Sequence, residues 1–248
     1  MEQKALDIRT LKALLMREDL ESYQQIRDDL VRGTTLVTAR RGEMLFRFGD
    51  ASDGCYMVVD GRIKLTRPQD DASCSGEYLV EILREGHVFG EISVLDKGPR
   101  DVTATALTPA KLRFAPTALC DRILNAYPVT ARVALTLVAA RVRTGHQSMA
   151  DLALQDVTGR VAAVLTHMAN SLGESSREGI NVRHEATQSD LACMVGASRE
   201  TVNKIITEFE SRGWIAMSRH RFTIYRPAKL LARAGLAPSK TVGPLVGV

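Results

Sequence analysis

No run of about 18 apolar residues occurs in this chain of 248, so no segment has the composition of a membrane-spanning helix. The opening stretch, MEQKALDIRTLKALLMREDL, mixes charge throughout and lacks a signal-peptide core; it reads as an amphipathic helix. A cytoplasmic protein is expected. Cysteine is scarce: Cys55, Cys74, Cys120 and Cys193 are far apart and form no C-x-x-C pair. That spacing indicates neither a disulfide framework nor a zinc or iron–sulfur site, and reduced thiols are expected. Catalytic signatures are missing too. There is no G-x-x-x-x-G-K-[ST] loop, no G-x-S-x-G elbow and no H-E-x-x-H. Carboxylates are plentiful but dispersed, so an enzyme is not expected. What is present, 45% hydrophobic and 25% charged residues, is the balance of a globular protein. The length suits one large or two ordinary domains.

The most informative stretch is TQSDLACMVGASRETVNKIITEFESRG, residues 187–213. Thr187 is a good N-cap, and Asp190 three residues on completes something close to a capping box. Leu191, Met194 and Val195 share one helical face, and Gly196-Ala197 makes a tight connection. Ser198 can cap a second helix, in which Val202, Ile205, Ile206 and Phe209 form an apolar stripe. Gly213 is placed to end that helix in the left-handed region. The polar face carries Arg199, Glu200, Asn203 and Lys204. Two short helices joined this way form a helix-turn-helix, whose second helix presents its N-terminal side chains to the DNA major groove. Arg forks onto guanine O6 and N7, and Glu accepts from cytosine N4. An ordinary αα-hairpin with a solvated charged face would share the pattern. Two features favour double-stranded DNA as partner. WIAMSRHRFTIY (214–225) alternates like a two-stranded wing with a turn near Ser218–His220. Residues 183–233 hold nine Lys/Arg against five Asp/Glu, a surplus equal to the net +4 of the whole chain.

From Thr34 to Phe114 glycines punctuate short β-branched runs such as CYMVV, IKLT, YLVEIL and VTATAL, which suggests a β-barrel or sandwich. Pro109 and Pro116 frame its exit. From Ala118 to Gln155 the pattern is helical, with an apolar seam through Ala131, Leu135, Val138, Val142, Gly145, Met149 and Leu152. Such a seam pairs with another helix or packs on its own barrel. DVTGR (156–160) starts a further helix at Asp156 or Thr158, running to Gly173. GESSREG (173–179) reads as a loop, and the tail beyond Arg233 as poorly ordered.

The order of these parts resembles the CRP/FNR family of bacterial transcription regulators over roughly residues 35–230. The resemblance is carried by GDASDGCYMVVDGRIKL, VFGEISVLDKGPRDVTATA, DVTGR and VGASRETVNK. It implies an α+β protein: an N-terminal helix plus β-roll sensor of the cyclic-nucleotide-binding kind (1–117), a long dimerisation helix (118–155), a winged helix-turn-helix (156–235) and a flexible tail (236–248). It also implies a homodimer on a palindromic operator, two half-sites about one helical turn apart, with RNA polymerase as a partner. Residues matching Arg199, Glu200 and Lys204 contact bases in the family, where Arg often stands in place of Lys204. Residues matching Thr187, Gln188 and Ser198 hold phosphates, and Asn203 lies on the same face.

Phe89-Gly90-Glu91-Ile92-Ser93 followed by Arg100 resembles the family's phosphate-binding cassette. Gly90 would let the backbone approach a ligand, a short helix from Glu91 would aim amides at an anion, and Arg100 would fork onto phosphate oxygens. Glu91 could accept from a ribose hydroxyl. Alternatively, Arg100 pairs with Asp96 or Asp101 in an empty roll. The cAMP-binding members carry Ser or Thr after the cassette arginine, where this chain has Asp101, and a carboxylate there repels a phosphodiester. Their adenine-binding Thr aligns with Gly145, beside His146. An acidic residue after the arginine resembles the Clp-type branch, which responds to cyclic di-GMP; Asp101 would then accept from guanine donors. The effector expected is therefore a nucleotide second messenger, cyclic di-GMP or cAMP, with no covalent cofactor; a roll serving only as a structural or interaction module is the alternative. Haem sensing would need an axial ligand near the roll, and His87 reads as a lone surface histidine.

Overall fold

The computed structural model describes residues 20–68 and 77–236. All but the last residue of the expected N-terminal helix, most of the tail and Cys74 lie outside them. The described chain forms two compact units, 20–68 with 80–143, and 77–79 with 144–236.

The N-terminal part of the chain opens on helix α1 (Leu20–Gly33) and continues into eight strands: β1 (Thr35–Ala39), β2 (Met44–Phe46), β3 (Gly54–Asp60), β4 (Ile63–Pro68), β5 (Glu77–Leu83), β6 (Val88–Phe89), β7 (Thr103–Ala106) and β8 (Ala110–Pro116). They make two four-stranded sheets, ordered β1-β8-β3-β6 and β2-β7-β4-β5. The β-branched and aromatic residues that marked the runs as strands fill the space inside: Phe46, Val58, Ile63, Leu65, Phe89 and Leu112 are buried together. β3 and β8 press close at Gly54, where a Cβ would sit 2.2 Å from the Ala115 carbonyl oxygen, so no larger residue fits. Between β6 and β7 runs one short helix, α2 (Glu91–Asp96).

After β8 the chain turns directly into α3 (Thr117–Ala126), then α4 (Pro128–Leu154). One continuous helix was expected here. Pro128 explains the break: its ring disfavours helical backbone at the preceding residue, and Tyr127 is extended at φ −128°, ψ 95°. Pro128 then serves as first residue of the next helix, where its missing N–H costs nothing. The buried Thr130 hydroxyl ties the two together, 3.1 Å from the Ile123 carbonyl oxygen and 2.6 Å from that of Tyr127. On α4, Leu135, Val142 and Met149 recur every seventh residue and are 69%, 50% and 69% exposed.

The second unit is built around α5 (Val157–Leu172), which Asp156 caps by accepting from the Gly159 amide at 2.7 Å. α6 (Gln188–Val195) and α7 (Arg199–Ser211) form the expected helix pair. β11 (Ile215–Ser218) and β12 (Arg221–Ile224) form the expected wing, turning at Arg219-His220. The stretch read as a loop after Gly173 contributes strand β9 (Gly173–Ser175), and with β10 (Ile180–Arg183) it widens the wing to a sheet ordered β11-β12-β10-β9. α8 (Pro227–Arg233) closes the unit. Its core draws on α5, β10, α6, α7, β12 and α8: Leu165, Val182, Leu191, Val202, Phe209, Phe222 and Leu230 are all buried.

Candidate functional site

In the first unit the cassette is drawn together around Arg100. Gly90 precedes α2 with φ +76°, a conformation L side chains avoid, and a Cβ there would meet Arg100 Nη1 at 2.5 Å. The guanidinium is 1% exposed. Its Nη1 donates to the Gly90 carbonyl oxygen (3.1 Å), its Nη2 to Asp53 Oδ1 (2.6 Å), and its plane lies 4.1 Å from the Phe46 ring centroid. Neither alternative partner weighed from the sequence is the one used: Asp53, 47 residues away, takes the place of Asp96 and Asp101. Asp96 instead accepts from the Gly98 amide at 2.7 Å. The Asp53 side chain is 68% exposed, so the ion pair joins a buried cation to a carboxylate that water can take back.

Glu91 is buried and held by a residue that sequence reasoning missed. Arg141 on α4 donates through Nε to Glu91 Oε1 at 2.5 Å, through Nη1 to Glu81 at 3.4 Å and through Nη2 to the Val88 carbonyl oxygen at 3.2 Å. Burial pulls the Arg141 pKa down, but Glu91 and Glu81, with Asp101 adding to them, raise it on balance. No motif marks Arg141, since its partners lie 50 to 60 residues earlier in the chain. Asp101 itself is half-buried. Asp101 therefore has a second cation, Arg141, within electrostatic reach.

Four buried polar atoms in this region have no hydrogen-bond partner: Arg100 Nε, Glu91 Oε2, Ser93 Oγ and Ser52 Oγ. Leaving such atoms bare in an apolar core costs roughly 1–3 kcal/mol each. A ligand carrying both acceptors and hydroxyl donors would satisfy them, which is the chemistry of a phosphorylated sugar. Ile92 is half-buried on α2, and no side chain caps the first amides of that helix. Phe89 is part of the core: it is 0% exposed and stacks on Tyr56 at 5.3 Å. His146 is exposed on α4, and so is Gly145, where an added Cβ would meet open space. His87 is not the surface residue expected; it is buried in the turn between β5 and β6, its carbonyl oxygen accepting from the Val58 amide at 2.9 Å. Among the described residues no group of three or more His, Cys, Asp or Glu could hold a metal ion.

In the second unit the helix pair is pinned by its caps. Thr187 Oγ1 accepts from the Asp190 amide (3.1 Å), and Asp190 accepts from the Thr187 amide (2.8 Å), completing the capping box. Gly196 takes φ +65°, and Ser198 Oγ accepts from the Thr201 amide at 3.2 Å. Val202, Ile205, Ile206 and Phe209 are buried, which turns Arg199, Glu200 and Lys204 outward, with Asn203 half-buried beside them. Lys204 Nζ lies 2.9 Å from Glu200 Oε1, an exposed i,i+4 pair worth about 0.3–0.5 kcal/mol. Such an exposed pair separates readily. Thr187 and Ser198 are exposed at the helix starts, and Gln188 is half-buried.

The contacts of Arg160, within the DVTGR segment, are not marked by any sequence pattern. Its guanidinium reaches the carbonyl oxygens of Val195 (2.8 Å), Gln155 (3.1 Å) and Gly196 (3.3 Å). One side chain thus joins the end of α4, the start of α5 and the helix-turn-helix connection. Asp156 beside it meets Arg233 Nη2 through both oxygens at 2.7 and 2.6 Å. Arg233, seconded by the Gly159 amide, holds the Asp156 carboxyl below the usual aspartate range.

Residues 36–127 match the cyclic nucleotide-binding domain family, and residues 159–233 match the Crp-like helix-turn-helix domain family. A CRP-like cAMP-activated global transcriptional regulator of Mycobacterium tuberculosis is 34% identical over 194 residues, covering 78% of this chain and 85% of that protein. Among solved structures, FixK2 of Bradyrhizobium japonicum shares the fold with a TM-score of 0.71 at 18% identity, over 83% of this chain and 98% of that one. The c-di-GMP responsive global regulator CLP of Xanthomonas campestris does so with a TM-score of 0.63 at 19% identity, over 82% of this chain and 99% of that one.

Proposed function

This chain belongs to the CRP/FNR family of transcription regulators, DNA-binding proteins with a cyclic nucleotide-binding domain, and from that premise we propose that it is a homodimer switched by a nucleotide bound at Arg100. The observation that carries the proposal is the buried guanidinium with its bare Nε, surrounded by three further buried polar atoms without partners. In this mechanism the phosphate of the nucleotide displaces the exposed Asp53 carboxylate from Nη2 and takes up Nε, while Ser93 and Glu91 Oε2 meet the sugar. The exposed seam Leu135-Val142-Met149 packs against its symmetry mate. Arg160 carries any movement of α4 to the helix-turn-helix connection, and RNA polymerase is the downstream partner. A ligand shifts such an equilibrium only by its differential affinity for the two states.

We favour cAMP as the effector, on the strength of the cAMP-activated relative and of Arg141, which offsets the charge of Asp101. Cyclic di-GMP is the second reading, supported by the half-buried Asp101 carboxylate as an acceptor for guanine N1–H and N2. Calorimetric titration of the purified protein with both nucleotides tests the proposal; heat with neither leaves the roll as an interaction module. In the same experiment Asp101→Ser is expected to raise cAMP affinity about tenfold, since removing a like charge near the phosphate is worth on the order of 1 kcal/mol or more. Unchanged affinity would clear Asp101 of excluding the phosphate.

For DNA we propose that Arg199, Glu200 and Lys204 read bases, that Thr187, Gln188 and Ser198 hold phosphates, and that Asn203 supports that face. Arg199→Ala is expected to cost roughly 1–3 kcal/mol at one base position of the operator and to flatten preference there. Binding titrations on an operator and its single-base variants check it. Equal losses on operator and random duplex would reassign Arg199 to the phosphates.

A further inference from the structure

The sequence separates the cysteines, but the fold brings two of them together. Cys55 is the second residue of β3, paired with Ala115 on β8, and Cys120 lies one turn into α3, which leaves β8 directly. Their sulfur atoms are 3.7 Å apart, and Cys120 Sγ also lies 3.8 Å from the Ala115 carbonyl oxygen. Both side chains are only partly buried. A disulfide has sulfurs about 2.05 Å apart, so closure needs a shift of roughly 1.7 Å. Cys193, in contrast, is buried in the other unit, on α6.

We propose that Cys55 and Cys120 form a thiol pair that a peroxide oxidises to an intramolecular disulfide. The two sulfurs have different characters. The hydrogen bond between the two sulfurs holds the Cys120 thiol below its ordinary range against the opposing effect of burial; the same hydrogen bond, with burial added, pushes Cys55 well up. The charges around them are mixed. Lys97 favours the Cys120 thiolate and Asp121 opposes it, while Arg100 and Glu91 act in the same two senses on Cys55. Cys120 is thus the attacking sulfur and Cys55 the resolving one.

In the first step the Cys120 thiolate attacks one oxygen of hydrogen peroxide. The O–O bond breaks, a sulfenic acid forms, and hydroxide leaves and takes up a proton to become water. In the second step the Cys55 sulfur attacks the sulfenic sulfur, and the hydroxyl leaves as water with the Cys55 proton. Two thiols lose two electrons in total and one peroxide is reduced to two waters. The bond closes a loop from 55 to 120 that contains α2 and Arg100. It also joins the strand following Asp53 to the helix whose first amide, on Thr117, donates to the Asp53 carbonyl oxygen at 3.0 Å. A reducing cytosol keeps such a pair open until oxidant arrives, the usual behaviour of an intracellular redox-sensing disulfide.

The test uses the purified full chain, reduced, freed of reductant and exposed to hydrogen peroxide. Remaining thiols are then blocked with N-ethylmaleimide, and the digest is read by mass spectrometry. The expected result is a joined Cys55–Cys120 peptide pair lighter by two hydrogens, with two of the four thiols lost to alkylation. The protein should run as a single chain on a non-reducing gel, and dithiothreitol should restore both thiols. In Cys55→Ser the resolving sulfur is gone, so dimedone should trap a sulfenic acid on Cys120. The wild-type peptide map stands alone should that variant fail to fold. Absence of the joined pair, or its replacement by a bridge to Cys74 or Cys193, overturns the proposal.

Discussion

Replacing Arg100 with alanine is expected to lower nucleotide affinity at least a hundredfold while the protein stays folded. Two charge-assisted hydrogen bonds to a phosphate are worth roughly 1.5–3 kcal/mol each. Their joint loss therefore exceeds the roughly 2.7 kcal/mol that a hundredfold represents. The cost to the fold is smaller because of how the partners are exposed. Asp53, at 68% exposure, returns to water when its cation goes. Only the Gly90 carbonyl oxygen and the face of Phe46 lose a buried neighbour. That leaves about 1–3 kcal/mol of destabilisation, which most domains survive. Arg100→Lys should fall between the two, since it keeps the charge but loses the planar fork. Calorimetry with cAMP and cyclic di-GMP, alongside thermal melts, separates the effects. Full-strength nucleotide binding by a folded Arg100→Ala protein would remove the roll from the proposed switch.

What the sequence displayed and what it hid divide along chain separation. The helix pair was legible because its determinants are local: a cap and its acceptor three residues apart, a glycine at the turn, an apolar stripe at helical spacing. Thr187 with Asp190, Gly196, and Ser198 with Thr201 stand where those rules put them. Strand runs and the wing were legible for the same reason. The break at Tyr127 is local too, since Pro128 marks it, but a helical pattern over Ala118–Gln155 masks it. The ion pairs of the roll were not legible. Arg100 could be read as a cation seeking an anion, but Asp53 lies 47 residues back and Glu91 meets Arg141 50 residues on. Only the tertiary packing of strands, loops and α4 decides which carboxylate arrives. Arg160 illustrates the middle case. Its first contact, Gln155, is five residues away, yet its grip on Val195 and Gly196 depends on how α5 and α6 pack. The cysteine pair is the extreme, since a 65-residue separation gave no hint of a 3.7 Å contact.

Phe209→Ala should have the largest effect on stability, and it acts on the same helix as Arg199. Phe209 is 1% exposed and lies on the inner face of α7. Its ring stacks on Trp214 with centroids 5.2 Å apart. Trp214 in turn anchors the far end of the wing, its carbonyl oxygen accepting from the Tyr225 amide (2.8 Å) and the Arg226 amide (3.2 Å). Truncating a buried phenylalanine costs roughly 3–5 kcal/mol, the lost transfer energy plus the cavity left behind. In a module of this size that lowers the melting temperature on the order of 15 °C or more. The ring also holds the tryptophan against the helix, so its loss loosens α7 and the wing together. Every duplex should then be bound more weakly, operator and random sequence alike. Arg199→Ala should do the reverse, leaving the melt unchanged and altering only base preference. Differential scanning calorimetry beside DNA titration distinguishes the two. A Phe209→Ala protein that melts within a few degrees of the parent would show that the stripe inferred from the 3- and 4-residue spacing does not carry the weight of this module.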